Sequence, residues 1–246
     1  MSFPQHVTLL RVQLLSMSRL SQRALDYAIK GYEQNSSDFC RHVRSVEHKL
    51  GEHHRQIKYL CHRITAANET TPSDFRFALA ALRVDSALNR TYSAAAQMAQ
   101  DTILFLKSNT MANCPPLDRF GRLVNSLVRL CTVALFEKDV SHAETVLLSQ
   151  GVWRRCELIF DHSYSDIDRQ MPEQDIYALT ITQSLGVIAK QAHEMADAIL
   201  FWLKGKESVH ALEADGYEAL NFLFARCNLT ADSKTWDLQT CNRVAS

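Results

Sequence analysis

One pattern of apolar residues occurs twice in this sequence at a fixed offset, and it constrains the fold more than any other feature. The first copy is Leu10, Leu14, Met17, Leu20, Ala24 and Leu25, and the second is Phe120, Val124, Leu127, Leu130, Ala134 and Leu135. Spacings of three and four residues place each set on one face of an α-helix. Because such a face must be buried against other helices, the repeat predicts a duplicated helical bundle.

A second pair of segments extends the duplication. Residues 87–108 align with residues 184–205 without a gap, so that Leu88 matches Leu185 and Met98 matches Met195. Pro72 and Pro172 each precede such a segment, and proline is tolerated in the first turn of a helix. The sequence therefore predicts an all-α protein with two tandem antiparallel three-helix bundles. The predicted domains are 1–113, 114–206, and a C-terminal helix with a tail at 207–246.

Polar residues at the breaks in the pattern predict where the helices begin and end. In the first copy we expect helices over about 7–29, after an irregular start at Pro4, and over about 38–65 and 72–107. Ser36 or Ser37 is expected to cap the second helix, and Thr71 the third. In the second copy, Ser141 with Glu144 three residues later predicts a capping box for the fifth helix.

Composition excludes several classes of protein. Only 7 Gly and 5 Pro occur among 246 residues, which leaves few of the residues that make the tight turns of strand-rich folds. The 27 basic and 27 acidic residues cancel, so no excess positive charge favours nucleic acid. No apolar run approaches the roughly 18 residues of a membrane span. The 7 cysteines form no C-x-x-C pair, which predicts reduced thiols in a cytoplasmic protein.

The third helix of each copy resembles a known family. "PSDFRFALAALRVDSALNRTYSAAAQMA" and "SLGVIAKQAHEMADAILFWLKG" are similar to the two copies of the PhoU family of phosphate-uptake regulators, and the resemblance covers residues of about 8–205. It implies a cytoplasmic regulator of phosphate uptake and signalling. Such a regulator docks on the ATPase of a phosphate transporter or on a sensor kinase, and it often forms a homodimer.

The family carries a Glu and an Asp four residues apart in each copy, where they share metal ions. The corresponding positions in this chain are Asn89 and Ser93 in the first copy, and Gly186 and Lys190 in the second. An amide and a hydroxyl are weak ligands for a hard cation, and a lysine ammonium repels one. We therefore expect neither a metal nor another cofactor.

Other polar residues of the first copy keep more of the family pattern. Asp74, Arg76 and Arg90 remain, while Asp85 and Asn89 belong with Ser93 to a polar track along one side of the helix. We expect a partner-binding surface at Asp74, Arg76, Asp85, Asn89 and Arg90. The alternative is that these residues only cap helices and form interhelical salt bridges.

Three other groups of residues have the chemistry of metal ligands. His193 and Asp197 lie one turn apart, but two ligands from one helix do not complete a zinc site. We favour a solvated face opposite the apolar stripe of Ile188, Ala192, Met195 and Ile199. Glu47, His54 and Cys61 recur every seven residues, and an exposed face or core edge again explains them better. Asp161, His162, Asp166 and Asp168 fit a polar turn better than a cation site.

No motif in the sequence carries an enzymatic reaction. A di-iron bundle needs Glu-x-x-His on two helices, and the pattern occurs once, at Glu207 to His210. Nucleophile elbows, P-loops and dinucleotide-binding glycine patterns are also missing. We expect a protein that binds other proteins and is not an enzyme. The alternatives are a diverged helical adaptor unrelated to phosphate and, less favoured, a metal-binding protein.

Overall fold

The computed structural model describes residues 3–107, 117–154 and 173–205 of the chain, and all regular structure in these residues is helical. Its α-helices are α1 (Phe3–Glu33), α2 (Ser37–Val43), α3 (Glu47–Thr65), α4 (Pro72–Lys107), α5 (Leu117–Glu137), α6 (Val140–Leu148) and α7 (Glu173–Lys204). A 3-10 turn at Arg44–Val46 joins α2 to α3, and residues 150–154 are also helical. The predicted all-α class is confirmed. The predicted C-terminal helix and the domain boundary at 113 lie outside the described residues.

Two of the predicted helix starts are tested by α1 and α4. The predicted irregular start at Pro4 is wrong, because α1 begins at Phe3 and includes Pro4 in its first turn. Proline lacks only an N–H that has no intrahelical partner at this position. The predicted cap of α4 is confirmed, because Thr71 Oγ1 accepts a hydrogen bond of 3.1 Å from the backbone N–H of Asp74.

The predicted capping box of α6 is wrong. Its N-cap is Asp139, whose carboxylate accepts a hydrogen bond of 2.7 Å from the backbone N–H of Ser141. Asp139 precedes Ser141 by two residues and offers a charged acceptor, which the positive end of the helix dipole favours. Glu144 instead pairs with Lys204 of α7 at 2.5 Å. Ser36 precedes α2, but its side chain makes no capping hydrogen bond.

The helices pack as two groups that share one core. In the first group α1 contacts α2, α3 and α4, while in the second α7 contacts α5 and α6. The groups join through an extensive contact of α4 with α7 and a smaller contact of α1 with α5. Eleven of the twelve repeated apolar residues are buried, and Leu20 is partly buried against the same core. The repeat therefore encodes the buried faces of α1 and α5.

The helices α4 and α7 run antiparallel along most of their length. Phe77 near the start of α4 packs against Trp202 near the end of α7, with ring centroids 4.7 Å apart and ring planes tilted by 44°. Further along, Arg83 Nη2 lies 2.5 Å from Asp197 Oδ2. This pair of helices, 36 and 32 residues long, forms the centre of the molecule. Among the helices of the described ranges, none combines the length and the mean hydropathy of a membrane span.

Gly31 near the end of α1 permits a close approach of α2. A Cβ at this position would overlap Cys40 Sγ and lie 3.3 Å from the backbone nitrogen of Cys40. Because Cys40 is buried, we expect Gly31→Ala to lower the free energy of unfolding by about 2 kcal/mol. Urea denaturation of Gly31→Ala and of Gly31→Ala with Cys40→Ala measures the effect. The second substitution should recover part of the lost stability. Equal stability of wild type and Gly31→Ala would contradict the close approach of Cys40 to Gly31.

Candidate partner-binding face

The side chains of α4 and α7 that face away from the core form one continuous surface, the α4–α7 face. Its exposed members on α4 are Arg83, Ser86, Arg90, Ser93 and Gln97. Its exposed members on α7 are Gln183, Val187, Lys190 and Glu194. Both sets recur at spacings of three and four residues, so each lies along one side of its helix. The two sides belong to the same surface because Arg83 contacts α7 at Asp197 and Glu194.

The centre of this face holds two cations. Arg90 lies seven residues after Arg83 on α4, and Lys190 lies seven residues before Asp197 on α7. Seven residues make about two helical turns, so both side chains lie on the side that carries the Arg83–Asp197 contact, two turns further along. Antiparallel packing therefore places Arg90 opposite Lys190. Neither cation forms an ion pair with any residue that the structure describes.

The four positions that the sequence resemblance aligns with the family's metal ligands differ in exposure. Ser93 and Lys190 are exposed, Asn89 is partly buried, and Gly186 is buried. Ser93 Oγ donates a hydrogen bond of 3.1 Å to the backbone carbonyl of Asn89, its own helical neighbour. Over the three described ranges, no three His, Cys, Asp or Glu side chains are grouped as metal ligands. The α4–α7 face itself offers a hydroxyl and an ammonium where a cation would need carboxylates.

Asp85 does not lie on this face, although the sequence predicts it as a partner-binding residue. It is 1% exposed, and His54 Nδ1 of α3 lies 2.8 Å from its Oδ2. Its other oxygen, Oδ1, has no hydrogen-bond partner within the described part of the chain. Burial raises the pKa of Asp85, while the hydrogen bond and charge of His54 and the charge of Lys58 oppose that rise. Asp85 therefore belongs to the interior between α3 and α4.

Of the three residues Glu47, His54 and Cys61, the last two interact with Asp85, while Glu47 interacts with Tyr92. Cys61 is buried, and burial together with the charge of Asp85 raises its pKa to about 12. The pKa of Tyr92 also rises to about 12, first through burial and then through Glu47. The raised pKa of Cys61 keeps its thiol protonated, which suits a core residue and not a metal ligand.

Asp74 and Arg76 lie near the start of α4 and make local contacts there. Asp74 accepts a hydrogen bond of 2.6 Å from the hydroxyl of Thr71, in addition to donating its backbone N–H to that residue. The guanidinium of Arg76 lies beside Gly205, which ends α7 with a φ of +68°. A cation near the negative end of a helix dipole is favourable. Both residues therefore have a structural use, and their contact with a partner stays a prediction.

The zinc alternative for His193 and Asp197 lacks further ligands. Within the described residues, neither belongs to a group of three metal-binding side chains, and Asp197 is bound by Arg83. The predicted apolar stripe opposite them is fully buried at Ile188, Ala192, Met195 and Ile199. The other predicted ligands, at Asp161, His162, Asp166 and Asp168 and at Glu207 with His210, lie outside the described residues.

Sequence reasoning misses Arg83 and the cluster around Trp202. The guanidinium of Arg11 lies 5.3 Å from the ring centroid of Phe77, and Lys138 Nζ lies 5.9 Å from that of Trp202. These contacts join residues from three helices, α1, α4 and α7, and from the turn after α5, so no spacing within one helix reveals them. Arg83 has a signal in the sequence, because it precedes Arg90 by seven residues and shares its side of the helix.

Buried carboxylates make the stability depend on pH. Burial raises the pKa of Asp85 and of Asp101, so the folded chain holds these protons more tightly than the unfolded chain does. Their contribution to stability is greatest below the ordinary aspartate pKa of about 3.9 and falls as pH rises from there through the raised values. We expect Asp85→Asn to reduce this fall, as measured by urea denaturation between pH 4 and 7. The exposed Asp38→Asn variant is the control. Identical pH profiles of stability for Asp85→Asn and wild type would show that Asp85 does not cause the fall.

Comparison with known proteins gives matches in one family. A family model described as the PhoU domain matches residues 14–102. A Caulobacter vibrioides protein named phosphate-specific transport system accessory protein PhoU homolog is 22% identical over 84% of this chain and 91% of its own length. A Serratia marcescens protein named phosphate-specific transport system accessory protein PhoU is 22% identical over 86% of this chain and 88% of its own.

Two solved structures share the fold. The crystal structure of PhoU from Pseudomonas aeruginosa superimposes with a TM-score of 0.77 at 20% identity, and it covers 83% of this chain and 100% of its own. The phosphate transport system regulatory protein PhoU from Streptococcus pneumoniae gives a TM-score of 0.71 at 18% identity, with 85% and 100% covered. The likeness extends over both groups of helices.

Proposed function

We propose that this chain, which belongs to the PhoU family, regulates phosphate transport by binding another protein and catalyses no reaction. The relatives from Caulobacter vibrioides and Serratia marcescens are named accessory proteins of a phosphate-specific transport system, and each aligns with more than four fifths of this chain. This shared identity along the chain is the observation that supports a role in phosphate transport. The proposed partner is a transporter ATPase or a sensor kinase, and the proposed location is the cytoplasm.

The α4–α7 face supports binding as the means of action. Its two helices pack against each other along their length, which gives a rigid surface with exposed charged, polar and apolar side chains. A rigid surface that contacts one state of a partner better than another shifts the partner between those states. Such regulation requires only differential contacts, without a catalytic group or turnover.

Affinity capture from cells at high and at low phosphate tests this function. The full chain carries a tag, and quantitative mass spectrometry measures which proteins it enriches relative to a tagged unrelated helical protein. We expect a subunit of a phosphate transporter or a phosphate-responsive sensor kinase to be enriched at high phosphate. Enrichment of neither at either phosphate level, with the tagged chain folded, would contradict the proposal.

A second candidate function is an adaptor in a pathway unrelated to phosphate. It is favoured by the side chains at the positions of the family's metal ligands, because Lys190 and Ser93 present a surface of different chemistry. The same capture experiment separates the two, since an adaptor of this kind would enrich proteins outside phosphate transport. Genes for phosphate transport beside the gene for this chain would support the first function only.

Self-association is a further part of the proposal. The resemblance to the PhoU family implies a homodimer, in which two copies of the chain contact each other through the same surface. Sedimentation velocity of the purified chain should give a single species of twice the 28.0 kDa chain mass. A monomer at all concentrations up to about 100 μM would contradict the dimer, since a Kd above that value corresponds to less than about 5.5 kcal/mol of association.

A further inference from the structure

We propose that the α4–α7 face binds an acidic segment of the partner protein, and that Arg90 and Lys190 hold carboxylates of that segment. The inference rests on the proposed function only in requiring that the chain binds a protein. It specifies the chemistry of that protein and the place where it is bound.

Arg90 of α4 and Lys190 of α7 are two cations at opposed positions of the face. Two turns along the same face, the corresponding positions hold Arg83 and Asp197, which attract each other at 2.5 Å. By the same register, Arg90 and Lys190 place two like charges at opposed positions of the face, and like charges on neighbouring positions destabilise a fold. An unfavourable pair on an exposed surface is expected where a binding partner supplies the opposite charge.

The described residues supply little negative charge at this place. Glu194 and Asp197 are the acidic residues of α7 on this side of the molecule, and both lie within 4 Å of Arg83, at 3.8 and 2.5 Å. The neighbours of Arg90 along α4 are the exposed hydroxyls of Ser86 and Ser93. The centre of the face therefore combines two cations with two hydroxyl groups. The two cations and the Ser86 hydroxyl can donate hydrogen bonds to carboxylates, while Ser93 Oγ donates to the backbone carbonyl of Asn89.

An exposed apolar side chain adds a second kind of contact. Val187 is 45% exposed and lies one turn before Lys190 on the same side of α7. From Arg83 to Gln97 the face extends over 14 steps of helix, which is about 21 Å. A partner helix of four turns could lie along this length. The expected segment carries acidic residues for the centre of the face and an apolar residue beside them.

A second copy of the chain does not fit this face as the occupant. In a symmetric dimer each patch meets its own copy, so Arg90 and Lys190 would meet the same two cations of the other copy. That contact would bring four positive charges together with few acids to balance them. The homodimer is therefore expected to use another surface, and an acidic segment of a different protein is the complementary occupant.

Site-specific photo-crosslinking tests the proposal in cells. A photoreactive amino acid replaces Ser93 in the full chain, and mass spectrometry identifies the segment of the partner that becomes attached. The test variant adds Arg90→Glu with Lys190→Glu. The control adds Lys49→Glu with Arg55→Glu, which reverses one exposed lysine and one exposed arginine of α3 and changes the net charge equally.

We expect an attached segment with more acidic than basic residues. The yield should fall at least about 10-fold with the test variant, equivalent to about 1.4 kcal/mol, and stay unchanged with the control. A neutral or basic segment, an unchanged yield with the test variant, or no attachment at Ser93 would overturn the proposal. An acidic segment from a protein outside phosphate transport would leave this inference standing and refute the proposed function.

The facing cations are also testable in the purified chain. Arg90→Glu would put a carboxylate opposite Lys190, so the Tm should rise by about 1–3 °C, and Arg90→Gln should give a smaller rise. The same Arg90→Glu variant should bind a synthetic peptide of the crosslinked segment more weakly. A rise in stability together with weaker binding supports a pair retained for a partner. A lower Tm in both variants would overturn the proposal, because Arg90 would then be held by an internal contact.

Discussion

Replacing Trp202 by alanine is expected to lower the free energy of unfolding by about 4 kcal/mol. Trp202 is 6% exposed and packs against Phe77. Its removal therefore exposes apolar surface of α4 and leaves a cavity between the start of α4 and the end of α7. The guanidinium of Arg11 and the ammonium of Lys138 lie near its ring, each 5.9 Å from the centroid, and these cation–π contacts are also lost.

Urea denaturation followed by circular dichroism measures this effect. Trp202→Phe is the matched control, because it keeps an aromatic ring against Phe77, and it should lose about half as much stability as Trp202→Ala. Hydrogen exchange gives a second measurement, in which amides at the end of α7 should lose more protection than those of α3. A loss below about 1 kcal/mol for Trp202→Ala would show that the contact of α4 with α7 does not depend on this residue.

Removing His54 should have the second largest effect, a loss of about 3 kcal/mol for His54→Ala. The substitution leaves Asp85 almost fully buried without the imidazole that lies 2.8 Å from its Oδ2. Oδ1 of the same carboxylate already lacks a hydrogen-bond partner among the described residues. A buried carboxylate without a compensating group is among the most unfavourable arrangements in a folded protein.

The double variant separates the effect of the uncompensated Asp85 charge from the effect of losing the His54 imidazole. If the uncompensated charge of Asp85 causes the loss, His54→Ala with Asp85→Asn should be more stable than His54→Ala alone, by at least about 1 kcal/mol. A double-mutant cycle from urea denaturation at pH 7 measures this coupling. Additive losses from the two substitutions would show that the imidazole and the carboxylate do not interact, in conflict with the structure.

The repeated apolar pattern predicts the fold well for a physical reason. Residues such as Leu14 and Val124, or Met98 and Met195, are all buried, because helical periodicity places them on the inner face whatever their neighbours are. Helix ends are less predictable, since several nearby polar residues can cap the same helix. The sequence offers Ser141 for α6, and the structure uses Asp139.

The polar track of α4 shows why a candidate site is harder to predict. Asp85, Asn89 and Ser93 are spaced four residues apart, which predicts that they share one side of the helix. They are buried, partly buried and exposed in that order. Each step of four residues rotates the position by about 40°, so two steps turn it from the core towards the solvent. Arg90 lies on the exposed side of α4, and its contact with a partner stays a prediction.

The contacts between helices are the part of the structure that the sequence does not predict. The Arg83–Asp197 ion pair joins residues 114 positions apart in the chain, and the His54–Asp85 contact joins α3 to α4. No periodicity within one helix specifies such partners, because they depend on how the helices pack. The opposition of Arg90 and Lys190 likewise follows only from the antiparallel register of α4 and α7.

Phosphate uptake in living cells tests whether this chain regulates phosphate transport through its α4–α7 face. Cells that lack the gene are complemented with the wild-type chain, with Arg90→Glu plus Lys190→Glu, or with the control Lys49→Glu plus Arg55→Glu. We expect the wild type and the control to restore the same phosphate-dependent uptake of labelled phosphate. The variant of the α4–α7 face should give the same uptake as cells that lack the gene. Uptake that does not change when the gene is deleted, or full restoration by a stably produced face variant, would contradict regulation through this face.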